Sequence, residues 1–266
     1  MTSRGHLSGS PAASRSRRRF LALGLAGVGS AMVADAFLLE PRWLKVRRVR
    51  LPGVTPTHRL VHFTDLHHKG NRAWLESVVR RINKLAPDFV CFTGDLVEEA
   101  RHLPEALEVL REIQAPLYGV PGNHDYWSGL DFAVVAEAFA ATGGRWLLDE
   151  QVLTRDGKVN VIGATCMKAP DVPPRSGRRN LLLIHYPSWV ERLAGVTFHL
   201  VLAGHSHGGQ VRLPLFGAVL VPGGVGTYDL GLFQTPAGPL YVGAGVGGFY
   251  LNARFNCRPE ITLIEM

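Results

Sequence analysis

Five short apolar runs dominate the hydrophobic pattern of this chain: 60–63, 89–92, 117–120, 181–184 and 200–203. Runs of this length bounded by turn residues predict buried strands. Each run leads into polar side chains. Asp65 and His67 follow the first, Gly94-Asp95 the second, and Pro121-Gly122-Asn123-His124-Asp125 the third. His185 follows the fourth, and Gly204-His205-Ser206-His207 the fifth. In open α/β sheets, sites collect just beyond the carboxyl ends of the strands. The pattern therefore brings Asp, Asn and His to one rim, which is how a metal site is built from pieces far apart in sequence.

Between these runs the periodicity turns helical. Trp74, Val78, Ile82 and Leu85 share one face of a helix over 73–85, with Glu76, Arg80, Arg81 and Lys84 opposite. A second helix opens near Pro104 and buries Leu107, Leu110 and Ile113. A third, over 131–141, packs Phe132, Val135 and Phe139 and stops at Gly143-Gly144. Strand–helix repetition implies parallel pairing. After Gly144 the texture changes to short strands at 146–148, 152–154 and 159–162, with Asp156-Gly157 as a hairpin turn. A loop over 169–179 and a short helix near 188–193 precede a glycine-rich tail of strand fragments, closing on a strand at 261–264. Residues 41–50 alternate Arg42, Lys45, Arg47, Arg48 and Arg50 with apolar positions, which suggests an edge strand with a charged face, or a membrane-surface contact.

Composition narrows the class. The 266 residues are 46% hydrophobic and 19% charged, which suits one folded domain and excludes a disordered chain. Net charge is +7, but residues 1–36 hold five arginines and one acid, leaving roughly +3 on 24 basic and 21 acidic residues. Nucleic acid is therefore a weak expectation as a partner. The three cysteines have no CxxC pairing; Cys91 falls in a strand, and a Cys166–Cys257 bond is an open alternative.

The leader carries its own message. Ser16-Arg17-Arg18-Arg19-Phe20-Leu21 precedes a Gly/Ala-rich apolar run and the small-residue site Ala34-Asp35-Ala36. This resembles a twin-arginine signal over 1–36, followed by a single domain over 37–266. It implies the twin-arginine export machinery as a partner and a place in the periplasm, cell envelope or outside. The alternative is an uncleaved N-terminal membrane anchor.

The ordered set Asp65-x-His67, Gly94-Asp95, Gly122-Asn123-His124-Asp125, His185 and Gly204-His205-x-His207 resembles the calcineurin-like metallophosphoesterases over about 58–208. Gly209-Gln210-Val211, Gly245-Val246-Gly247 and Arg258-Pro259-Glu260 are similar to its exported single-domain branch. The resemblance implies a four-layer α/β/β/α sandwich of two mixed sheets flanked by helices. It implies two divalent metal ions: one on Asp65, His67 and His207, the other on Asn123, His185 and His205, with Asp95 bridging. The donor set is all nitrogen and oxygen, which fits Mn, Fe or Zn. The implied reaction is hydrolysis of a phosphoester by a metal-held hydroxide, with His124 as the proton donor or transition-state stabiliser. Glu98 stands where the family more often has Asp and is expected to orient His124; Asp125 is expected either to support the site or to cap a turn. His58, His62, His102 and His199 are expected to be structural, and His68 either to line the pocket or to face water. The preferred substrate is a phosphodiester or pyrophosphate of an envelope lipid or wall polymer. The rival readings are a secreted nuclease and a metal-binding interaction protein without turnover.

Overall fold

The computed structural model describes residues 11–266 except Ala194 and Tyr250, and the side chains from residue 19 onward. The first ten residues of the expected leader lie outside the described residues. Helix α1 (Pro11–Ala34) leads through a π-helical segment (Asp35–Leu39) and a 3-10 turn (Glu40–Arg42) into β1 (Lys45–Arg50). Then come β2 (Arg59–Phe63), α2 (Arg72–Lys84), β3 (Phe89–Phe92), α3 (Leu103–Leu110), β4 (Leu117–Gly119), α4 (Asn123–Trp127), α5 (Phe132–Ala141) and β5 (Arg145–Trp146). The second half supplies β6 (Glu150–Leu153), β7 (Val159–Gly163), β8 (Arg179–Leu183), β9 (Leu200–Ala203), the small hairpin β10 (Arg212–Leu213) and β11 (Gly217–Ala218), then β12 (Gly231–Thr235), β13 (Gly238–Val242) and β14 (Glu260–Glu265).

Two six-stranded mixed sheets result. The first runs β1-β14-β2-β3-β4-β5, and the second β12-β13-β9-β8-β7-β6. Pairing from β2 to β5 is parallel, as is pairing among β7, β8, β9 and β13. The uniform hydrophobicity of the central strands follows from burial on both faces. Leu60, Phe89 and Cys91 point between the sheets and meet Leu181, Leu183 and Leu202, while Val61, Phe63, Val90 and Phe92 point toward the helices. On the far side of the second sheet, Leu182, Ile184 and Val201 pack under the short 3-10 helix Pro187–Arg192. The sandwich is the expected one, but its fourth layer is thin.

Differences from expectation are local. The buried face of α2 is Leu75, Val78, Val79 and Ile82, so Trp74 sits at its margin. The strand expected over 146–148 is β5 at 145–146. Strand β14 inserts between β1 and β2, parallel to one and antiparallel to the other. β1 is an edge strand, yet its charged face is partly used: Arg47 Nε donates to Glu260 Oε2 at 2.8 Å. Cys91, Cys166 and Cys257 are free and buried, so the Cys166–Cys257 alternative is not realised.

The stretch Arg19–Arg42 is long and apolar enough to cross a membrane, with a mean hydropathy of 1.8, and a signal sequence passes the same test. Its end is joined to the domain. Arg254 N–H donates to the Ala36 carbonyl at 2.8 Å, and the Glu40 carboxylate accepts from the backbone N–H groups of Asn256 and Cys257.

Candidate metal centre

The carboxyl ends of β2, β3 and β4 in one sheet and of β8 and β9 in the other open onto a common rim. Tight loops carry the polar residues across it. Asp65, His67, Asp95, His205 and His207 all adopt positive φ, between 40° and 67°. Left-handed backbone at non-glycine residues is costly and persists where the surroundings enforce it. Here the enforcement is close packing: a Cβ on Gly122 would overlap Asp95 Oδ1, and one on Gly94 would meet Gly122 N at 2.5 Å. The loops after β3 and β4 are thereby pressed together.

Asp95 lies at the centre. Its Oδ2 is 3.3 Å from His67 Nε2 and 3.4 Å from His185 Nε2, while its Oδ1 accepts from the His124 backbone N–H at 2.9 Å. Three clusters meet around it: Asp65, His67 and His207 on one side, Asp95 with His185 and His205 on the other, and Asp95 with His67 and His124 between. Asn123 Oδ1 stands 2.9 Å from His185 Nε2, which adds it to the second cluster. The seven residues expected on metal thus converge, and His124 joins them, with its ring 4.7 Å from that of His67.

Three imidazoles are held from behind. Thr93 and Gly223 offer only carbonyl oxygens, so His185 Nδ1 (2.7 Å) and His205 Nε2 (2.7 Å) must carry the hydrogens there. His67 Nδ1 meets Glu98 Oε2 at 2.6 Å. The opposite nitrogens then face one another: His67 Nε2 and His207 Nε2 at 3.1 Å, and His185 Nε2 and His205 Nδ1 at 3.1 Å. Two lone pairs at that distance repel unless a proton or a cation stands between them. His207 Nδ1 is also buried without a partner. The donor set and its backing bonds fit divalent cations.

The electrostatics agree. Burial pushes Asp65 up to about 6, with Asp95 adding to the rise. Burial also opposes charge on His67 and His185, but Asp95 and Glu98 hold the first at about 10, and Asp95 and Asp65 hold the second at about 9. Burial keeps His205 down at about 3 and His207 well below the usual value. The protein's own field therefore concentrates positive charge around Asp95.

One expectation is extended and one needs correction. Glu98 Oε2 lies 3.4 Å from His124 Nδ1, as expected, but it sits closer, at 2.6 Å, to His67 Nδ1. His68 neither lines the pocket nor faces water; it is buried, with Nε2 2.6 Å from Glu105 Oε1 on α3. Asp125 serves both of its expected roles, accepting from the backbone N–H groups of Asp95, Leu96 and Gly122 and so tying the two loops together. His58 and His62 are buried away from the site, on Asp156 and Thr93 respectively. Sequence reasoning missed Trp127, Tyr186, Pro222, Gly223 and Phe249, which wall a cavity of about 180 Å³ over the centre. It also missed Arg254, whose buried guanidinium donates to the carbonyls of Ala244, Gly245, Gly247 and Cys257.

Known proteins are similar to this chain in sequence. The calcineurin-like phosphoesterase family matches residues 58–209. The uncharacterized metallophosphoesterase YkuE of Bacillus subtilis is 28% identical over 258 residues, covering 90% of each chain. Phosphodiesterase YaeI of Escherichia coli is 28% identical over 269 residues, covering 94% of this chain and 99% of its own. The UDP-2,3-diacylglucosamine pyrophosphatase LpxG of Chlamydia trachomatis is 28% identical, covering 85% and 90%.

Proposed function

Because this chain belongs to the calcineurin-like phosphoesterases and is a metal-dependent phosphoester hydrolase, we propose that it cleaves a phosphodiester or pyrophosphate with two divalent cations. Asp65, His67 and His207 would hold one, Asn123, His185 and His205 the other, and Asp95 both. The observation that carries this reading is Asp95 Oδ2, nearly equidistant at 3.3 and 3.4 Å from a ring nitrogen of each cluster. Divalent cations supply Lewis acidity there, acidifying water and neutralising charge on the phosphoryl oxygens.

The protein does the rest. Glu98, Thr93 and Gly223 fix the tautomers of the ligand histidines before any cation arrives. His124 is packed between Trp127 and Phe249, with ring centroids 4.8 and 5.2 Å away, and its Nδ1 is turned toward Glu98. With Nδ1–H toward Glu98, the ring would carry a proton on Nε2 for the leaving oxygen only as the imidazolium, which burial opposes and Asp95 and Glu98 favour. Trp127, Tyr186 and Phe249 limit water at the reacting centre. No lysine or arginine is among the residues lining this cavity, which favours an enzyme that leaves phosphate charge to its cations over a nuclease with a basic groove.

An envelope lipid or wall polymer is the preferred substrate. Support comes from the apolar N-terminal helix and from similarity to LpxG, whose name records a diacylated substrate. Export by the twin-arginine route belongs to the same proposal and rests on Arg17-Arg18-Arg19-Phe20-Leu21. Metal-loaded protein should hydrolyse aryl phosphodiesters faster than aryl phosphomonoesters. His124→Ala should lower turnover by about 10²–10⁴ while metal content stays near two per chain. Full activity in that variant would remove His124 from the mechanism; metal content near zero in the wild type would remove the metal centre.

A further inference from the structure

Next to the candidate metal centre is a second, larger cavity of about 630 Å³ that the reaction described so far does not use. Its walls are overwhelmingly apolar, with Val211, Val219, Leu220, Val221, Leu251 and Ala253 supplying most of them. His207, Pro222 and Phe249 line both cavities, so a single molecule can extend from one into the other. Apart from His207, which belongs to the metal-centre rim, the polar side chains present are already engaged: Gln210 donates to the carbonyls of Leu251 and Ala253 and accepts from Phe249 N–H, and Ser206 Oγ accepts from Gly208 N–H. A sugar or nucleobase would find little to bond here.

The surroundings are apolar as well. The hairpin β10–β11 carries Leu215 and Phe216 at its tip, 103% and 86% exposed, and Leu220 and Leu251 are also exposed. Large apolar side chains gathered this way mark an interaction surface. The wall residue Ala253 precedes Arg254, whose backbone N–H binds the Ala36 carbonyl at the end of the apolar N-terminal helix. An apolar groove, an apolar hairpin and a helix long enough to cross a bilayer therefore meet on one part of the molecule.

We propose that this groove seats a long acyl or alkyl chain of the substrate, so that the enzyme acts on a membrane lipid phosphoester. The phosphorus lies at Asp95 and His124, and the chain runs past Phe249 beneath the β10–β11 hairpin. This rests on the phosphoesterase reading above and extends it to a substrate class. Each methylene that leaves water for such a groove raises affinity by roughly fourfold at full burial.

The test uses the full chain loaded with manganese and a series of p-nitrophenyl alkyl phosphodiesters, from methyl through octyl to dodecyl, below their micelle concentrations. The leaving group is constant, so only the chain varies. In the wild type, kcat/KM should rise at least tenfold from methyl to dodecyl. In Leu220→Asp and Leu251→Asp, both exposed positions that tolerate a charge in the folded protein, that gain should fall below twofold. A rate independent of chain length, or a gain that survives both substitutions, overturns the proposal. So does a concentration-dependent dimer in sedimentation combined with chain-independent rates, since a second copy would then fill the groove. If no member of the series is hydrolysed, the phosphoesterase reading fails separately. The groove is then judged by calorimetry: tighter binding of dodecyl than of methyl phosphate upholds it, and equal or no binding overturns it.

Discussion

His67 shows how a single side chain is prepared for its role. Its Nδ1 is taken by Glu98 at 2.6 Å, so Nε2 points at Asp95 and His207. Replacing Glu98 with Gln keeps the shape but removes the charge that favours this tautomer. Metal affinity should drop by about 10–100-fold with little change in melting temperature; unchanged affinity in a chelator competition would make Glu98 irrelevant to the centre. His62, one strand turn before Asp65, has a different fate. Burial pushes it down to about 3, and Nε2 pairs with Thr93 Oγ1 at 2.9 Å. Its folded value lies below the unfolded one, so its contribution to stability is complete above about 6.5 and is lost as pH falls toward 3. Between about pH 7 and about pH 5 the wild type should lose roughly 2 kcal/mol more than His62→Gln in urea titrations. Equal losses would mean that the ring is not kept neutral.

Among the elements, the loop between β13 and β14 does the most for the site while contributing no ligand to it. Its Val246 and Gly247 N–H groups bond to the carbonyls of Thr64 and Asp65, bracing the loop after β2. Arg254 holds that brace through four carbonyls, from within the core. Burial lowers the pKa of its guanidinium, an expense a folded chain bears only when every donor is used. Arg254→Met fits the space but abandons these carbonyls, so unfolding free energy should fall by about 3 kcal/mol or more. A calorimetric melt within experimental error of wild type would show that water satisfies the carbonyls instead.

For the molecule as a whole, the question is where the folded unit starts. Ala36, the last residue of the expected leader, and Glu40, just beyond it, both bond to residues 254–257, and Pro41 is buried. A chain beginning at Asp35 should keep the full melting temperature and full turnover of soluble aryl diesters. One beginning at Lys45 should melt several degrees lower, roughly 2–4 °C for each kcal/mol lost in a domain of this size. Identical melting of the two chains would make the segment dispensable. The same junction ties the end of the apolar segment to the residues next to the groove wall.

Sequence alone determined the strands and which polar residues gather beyond their ends, because both signals are local. A run such as Leu200–Ala203 is apolar throughout since it is covered on two faces, and the polar residues after it are legible because nothing apolar surrounds them. The helices at 72–84 and 132–141 were readable for the same reason, to within a residue, whereas α4 at Asn123–Trp127 was not. What only the tertiary structure decided involves contacts between segments far apart. The insertion of β14 between β1 and β2, the pairing of Glu98 with His67, the bond between His68 and Glu105, and the clamp of Arg254 leave no periodic trace. Each depends on distances set by packing rather than by the residue's own neighbours. The apolar groove belongs to this second group, since Val211, Leu220 and Leu251 form a wall only once the two sheets have brought their loops together.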